Sequence, residues 1–138
     1  MPEGYWLLVM MIVLHVFADF HLQGILADMK QKSWWEEQEY KIIKKKKDYG
    51  DGIKWIYDMD YIPALCLHAF EWSFIICIPL LWFIGFDWSI FVALFINTVL
   101  HAYIDHLKCN TLQINLIQDQ LLHFAQIILT LTMVLYFT

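Results

Sequence analysis

The sequence predicts an all-α integral membrane protein: a four-helix bundle with a charged cytoplasmic loop between its first and second spans. Three observations carry this reading. Four apolar stretches are each long enough, at about 20 residues, to cross a hydrocarbon core of roughly 30 Å. Hydrophobic residues make up 60% of the chain and aromatics 17%, more apolar side chain than a soluble domain of 138 residues has interior to bury. The ionisable residues within those stretches recur mostly four positions apart, so each helix carries them as a stripe.

A chain of this length is a single domain, 1–138. Its first span covers about 5–27, with His15, Asp19 and Gln23 on one face. A cleaved signal peptide fits less well, because Met1-Pro2-Glu3-Gly4 supplies no basic start and no small-x-small cleavage site follows.

The 28–61 loop carries eight of the nine basic residues, including Lys44 to Lys47, and also Glu36, Glu37 and Glu39. Ser33 to Glu36 fits a capping box, which predicts a short interfacial helix around 34–47. Trp34, Trp35, Trp55 and Tyr57 suit the headgroup layer, and Gly50-Asp51-Gly52 is a break. The lysine run reads as a topology signal with attraction to anionic lipid. No nucleic-acid partner is expected.

The second span is 62–84, with Pro79 as an expected kink and with His68 and Glu71 facing the same way. Gly85-Phe86-Asp87 allows only a tight helical hairpin. The third span, 88–108, has the stripe Asn97, His101, Asp105 and Lys108. Cys109-Asn110-Thr111 turns the chain, with Asn110 or Thr111 as the expected N-cap of the next helix. The fourth span, 112–137, has the stripe Asp119, His123, Gln126 and Thr130.

Lysines favour the cytoplasmic side. That places the 28–61 loop inside and both termini outside, and Lys108 then falls in the inner turn. On this topology Asp19, His68, Glu71, His101, Asp105, Asp119 and His123 all lie in the cytoplasmic half of the bilayer, with His15 nearer the middle. The expected location is a membrane crossed several times, with the lipid bilayer as the first partner.

Several function classes find no support. The chain has no Gly-rich phosphate loop, nucleophile elbow or zinc-finger spacing. Cys66, Cys77 and Cys109 have no paired spacing and give no sign of a disulfide framework.

An acidic residue near a helix centre costs about 2.5–3.5 kcal/mol to insert, and less near the interface. Eight ionisable groups on four helices are therefore expected to face the bundle interior. A divalent metal satisfies such a set, and a mixed His/Asp shell suits Zn²⁺ first, then Mn²⁺ or Fe²⁺, as one or two ions. The expected ligands and their supports are His15, Asp19, His68, His101, Asp105, Asp119 and His123. Asp19, Glu71 or Asp105 is the expected general base, with Glu71 alternatively a ligand or a partner for Lys108. Lys108, Gln23 and Gln120 are the residues expected to meet substrate. His21 and His106 lie off the stripes and read as interfacial. Any one of these histidines, taken alone, is more simply an interhelical hydrogen bonder. The Trp and Phe content reads as lipid-facing.

The order His15-x-x-x-Asp19-Phe20-x-x-Gln23, a lysine, His68, His101-x-x-x-Asp105 and Asp119-Gln120-x-x-His123 resembles domain-of-unknown-function family 3307. These are small membrane proteins of bacteria and phages. The resemblance covers nearly the whole chain, and the family's lysine corresponds to Lys30 or Lys32. It implies a bacterial or phage origin, hence a bacterial inner membrane or, for a phage-encoded protein, the host's membrane, and supports the choice of residues without supplying a reaction. The 28–61 loop is longer and more charged than the family pattern needs. The use of lysine with no arginine suits an AT-rich genome.

The first functional expectation is a metal-dependent hydrolase acting near the cytoplasmic leaflet on a lipid-like or phosphoester substrate. The second is an ion- or proton-coupled transporter or channel, which a homo-oligomer would favour. The third is a non-enzymatic phage membrane protein, either a lysis factor or an inhibitor of host defence, with a structural metal.

Overall fold

The computed structural model describes residues 2–45 and 57–138. Among them lie six α-helices: α1 (Pro2–Phe17), α2 (Leu26–Met29), α3 (Lys32–Lys45), α4 (Tyr61–Ile84), α5 (Trp88–Cys109) and α6 (Leu116–Phe137). A π-helical turn, Ala18–Leu22, continues α1. Four segments are long and apolar enough to cross a membrane: Gly4–Leu22, Tyr61–Ile84, Trp88–Cys109 and Leu116–Phe137. The protein is a multi-pass membrane bundle. Helix α1 packs on α4 and α6, α4 packs on α5, and α5 packs on α6, so the four spans close a ring.

The distribution of side chains explains why lipid is the solvent. Val13, Phe17, Leu67, Phe70, Trp82, Phe95, Leu121 and Leu129 point outward and are exposed, a continuous apolar exterior that water would not tolerate. The interior is divided along its length. Leu7, Met11, Ile76, Leu80, Ile90, Ile127 and Val134 fill one half with hydrocarbon. His15, His68, His101, Asp105, Asp119 and His123 fill the other and are fully buried. Between the two, Asn97 donates to Thr130 Oγ1 at 2.7 Å and Gln126 donates to the Asn97 carbonyl at 2.8 Å, tying α5 to α6.

The helix ends follow local chemistry, and several differ from the sequence expectations. The first span stops at Leu22, short of residue 27, because Gly24 takes a left-handed backbone (φ +49°) that suits glycine and turns the chain into α2. Helix α3 starts at Lys32, so Ser33 lies inside its first turn and does not cap it. The cap comes from elsewhere: Asn110 Oδ1 accepts from the Lys32 backbone N–H at 2.7 Å. Asn110 is thus not the N-cap of α6, and neither is Thr111. That role belongs to Asn115, which forms a reciprocal capping box with Gln118 at 3.0 Å in both directions. The fourth span consequently begins at Leu116, after a turn held by Thr111 N–H to His106 O and Gln113 N–H to Leu107 O. Replacing Asn115 with alanine is expected to lower stability by about 1 kcal/mol, read as a shift in thermal unfolding in detergent.

The remaining junctions match their expectations. Gly85 (φ +87°) ends α4, and Asp87 caps α5 by accepting from the Ser89 N–H at 2.8 Å and the Ser89 hydroxyl at 2.5 Å. Those two hydrogen bonds hold the Asp87 carboxyl below its ordinary range. Pro79 lies inside α4. In the interfacial segment Trp34 and Trp35 are in edge contact, and Trp35 stacks on Tyr57. The exposed Lys32 ammonium, 2.5 Å from Asp58, is held above its ordinary range by that carboxylate. Trp55, Lys46, Lys47 and the Gly50-Asp51-Gly52 break lie outside the described residues.

Candidate metal centre

The polar half of the bundle is assembled from all four spans. The π-helical turn after α1 delivers Asp19, α4 delivers His68, α5 delivers His101 and Asp105, and α6 delivers Asp119 and His123. A π turn widens the helix locally, a distortion common at functional positions. The i,i+4 spacings bring Asp105 beneath His101 and Asp119 beneath His123, as expected of helical pairs.

Hydrogen-bond direction fixes one corner of the network. Trp72 Nε1, which can only donate, lies 2.8 Å from His15 Nδ1. His15 Nδ1 therefore carries no proton, and Nε2 holds the one it donates to Gln120 Oε1 at 3.1 Å. With that oxygen accepting, the Gln120 amide donates to Asp19 Oδ2 at 3.2 Å and to Asp119 Oδ2 at 3.0 Å. Both His15 nitrogens and both ends of Gln120 are thus engaged. Of the roles expected of His15, ligand or support, this geometry gives it the supporting one, and Gln120 orients the two carboxylates. Gln23 also turns inward, donating to the backbone carbonyl and the carboxylate of Asp19.

The carboxylates share one arrangement. Each has its Oδ2 tied by a donor: Gln120 for Asp19, Lys30 at 2.6 Å for Asp105, and Lys108 at 2.6 Å for Asp119. Each turns its Oδ1 toward imidazole. Asp19 Oδ1 lies 3.7 Å from His68 Nε2 and 3.9 Å from His101 Nε2. Asp105 Oδ1 and Asp119 Oδ1 lie 3.6 and 3.4 Å from His123 Nε2. His68 Nε2 and His101 Nε2 are 3.2 Å apart, and Asp105 Oδ2 is 3.3 and 3.7 Å from them.

Most of these separations are long for hydrogen bonds. They match the edges of a metal shell: ligands about 2.1 Å from one ion, in tetrahedral array, stand about 3.4 Å from each other. Two groups have donor atoms close enough to share an ion, Asp19–His68–His101 and His101–Asp105–His123. Among the described residues, His101 Nδ1, both ring nitrogens of His123 and Asp119 Oδ1 are buried without a hydrogen-bond partner. Buried polar atoms are rarely left so. The ring of His101, common to both groups, packs against Trp72 and against His123 with 4.2 Å between centroids in each case, and those two rings are themselves 5.4 Å apart.

Glu71 is corrected. It is half-buried, and among the described residues it makes no ion pair or side-chain hydrogen bond. Lys108 pairs with Asp119 instead, its side chain 29% exposed. His21 is exposed and His106 stacks on Tyr61, both away from the cluster as expected.

Of the two lysines that the resemblance offered, Lys30, only 5% exposed, enters the cluster, whereas Lys32 goes to the rim. Trp72 was grouped with the lipid-facing aromatics but is fully buried. Its position four residues after His68 was the available signal, since it puts the ring on the same helix face. Trp72→Phe removes the donor that fixes His15. The expected cost is about 1–2 kcal/mol of stability, with mixed His15 tautomers in the imidazole ¹⁵N spectrum.

No protein-family model, curated protein or solved structure matches the chain.

Proposed function

We propose that the protein is a divalent-metal-dependent hydrolase embedded toward the cytoplasmic face of a bacterial membrane, acting on a lipid-like phosphoester. The observation that supports it most is the convergence of His and Asp donor atoms at metal-ligand spacing, beside His123 and Asp119 atoms that are buried without a hydrogen-bond partner. Asp19, His68 and His101 would hold the ion, with Asp105 and His123 beside it. Zn²⁺ suits the donor set first, and Mn²⁺ or Fe²⁺ next. Held there, the ion would supply a water acidified toward neutrality and would polarise the scissile group.

The chain's own residues do the rest. Gln120 and Lys108 fix Asp119 so that its free oxygen faces His123 Nε2, an arrangement suited to a general base acting through imidazole. Asp19, Asp105 and Asp119 against Lys30 and Lys108 leave one excess negative charge with the histidines neutral. One dication reverses that sign, and an anionic ester then complements the site. Lys108, the more exposed of the two lysines, stands where such an anion would arrive.

The topology proposed with it follows the lysines: the 28–61 loop inside, both termini outside. The resemblance to domain-of-unknown-function family 3307 rests on the order of motifs and agrees with a bacterial or phage origin. A proton-relay reading draws on the unbroken chain Trp72–His15–Gln120–Asp19. The hydrocarbon packing of Leu7, Met11, Ile76 and Ile127 across the other half of the bundle argues against it. The test is phosphoester cleavage by the protein in bacterial-lipid vesicles with added Zn²⁺ or Mn²⁺. Release that depends on metal and is lost in Asp119→Asn supports the proposal. Release equal to protein-free vesicles at every metal concentration rejects it.

A further inference from the structure

The donor set is closed off by a segment that is not part of the bundle. After Gly24 the chain forms the short α2, and Lys30 at its end reaches inward to Asp105 Oδ2 at 2.6 Å. That oxygen is also the one nearest His68 Nε2, at 3.3 Å, and it lies 3.7 Å from His101 Nε2. An ion held by those two imidazoles at about 2.1 Å would contend with the ammonium for one carboxylate oxygen. In this conformation Lys30 supplies the cation that the acidic cluster needs.

The arm is held by little else that is polar. Asn110 clasps it twice, donating to the Lys30 carbonyl at 3.1 Å and accepting from the Lys32 N–H. Of the two anchors, Asp105 sits on the last two turns of α5 and Asn110 is the residue that caps its C-terminus. The Trp35 indole donates to the Met29 carbonyl, a bond within the arm itself. Beside these, Lys32 meets Asp58 only at the exposed rim. The hinge end is Gly24, whose left-handed backbone glycine tolerates freely.

We infer that residues 24–35 are a strap whose Lys30 occupies the cation position of the metal centre and is displaced, with the strap, when a divalent ion binds. The inference rests on the metal reading above. It also accounts for entry: the imidazole ligands are fully buried, and lifting the strap opens the side of the bundle on which it lies. Two cations on one carboxylate oxygen repel, so the latched and loaded states exclude each other. The ion's free energy of binding then shifts the strap's equilibrium by the difference in its affinity for the two states.

The test is a titration of the full-length protein in mild detergent with Zn²⁺ and with Mn²⁺, following ion binding and backbone hydrogen exchange together. Wild type is expected to protect the Lys32 amide without metal and to lose at least about tenfold of that protection at saturation. Lys30→Met is expected to bind the ion at least about tenfold more tightly, with its strap already exchanging quickly. Removing a positive charge alone also tightens metal binding, so the exchange result is the one that identifies a strap. Asn110→Ala, which leaves every ligand and Lys30 in place, is expected to loosen residues 24–35 and tighten metal binding together, and it serves if Lys30→Met does not fold. Metal binding with unchanged protection of Lys32 overturns the strap and leaves the metal centre standing. Absence of metal binding in wild type and both variants overturns both.

Discussion

Replacing His101 with alanine is expected to reduce metal affinity by at least about 100-fold, the largest functional effect of any single change in the cluster. His101 is the one residue common to both groups of donors. Its Nε2 lies within 3.9 Å of His68, Asp19 and Asp105. Its ring is also the stacking partner that sets the planes of Trp72 and His123, so its loss disturbs the remaining ligands as well. Calorimetric titration with Zn²⁺ reads the effect, and helical circular dichroism checks that the bundle persists. His106→Ala is the control, since that ring stacks on Tyr61 outside the cluster. Equal affinity in wild type and His101→Ala would remove the site as drawn.

Asp105→Ala is expected to have the largest effect on stability. It leaves the Lys30 ammonium, 5% exposed, without its carboxylate. Breaking a buried ion pair from one side costs about 3–5 kcal/mol while the remaining charge stays buried, and lifting of the strap to solvate Lys30 sets the lower part of that range. It also takes from His123 and His68 the oxygens that face them at 3.6 and 3.3 Å. The double variant Lys30→Met/Asp105→Leu should recover most of that loss, since an apolar pair of similar volume needs no compensation. Unfolding of Lys30→Met, Asp105→Leu and their double variant in detergent gives the coupling directly. Additive single effects would mean that Lys30 and Asp105 do not act as a pair.

The architecture was legible because lipid simplifies the code. Four apolar stretches of sufficient length can only be helices, and the hairpin at Gly85-Phe86-Asp87 left one way to join two of them. The stripes were legible for the same reason: a charge facing lipid is costly, so His68, His101, Asp105, Asp119 and His123 had to face one another. Boundaries were less legible. The end of the first span depended on a backbone dihedral at Gly24, and Asn110 offered itself as a local cap when its partner lay in α3, 78 residues away in sequence.

The division of labour inside the cluster was hidden for a related reason. Which nitrogen of His15 carries a proton is decided by Trp72, on another helix, and Trp72 in turn looks like any membrane aromatic. The spacing of Glu71 from His68 suggested a shared face. Three positions along a helix differ by about 60° in direction, and only one of the two reaches the core. Lys30 sits in a loop whose lysines look alike, and nothing local marks it as the one that turns inward.

The central claim is that the buried His/Asp cluster binds a divalent ion. Elemental analysis of the protein purified in mild detergent without chelator tests it most directly, run beside His101→Ala/His123→Ala. One or two equivalents of Zn, Mn or Fe in wild type, lost in the double variant, is the expected result. Metal-free wild type that also takes up no Zn²⁺, Mn²⁺ or Fe²⁺ on addition would contradict the account and leave the cluster as a purely hydrogen-bonded polar core.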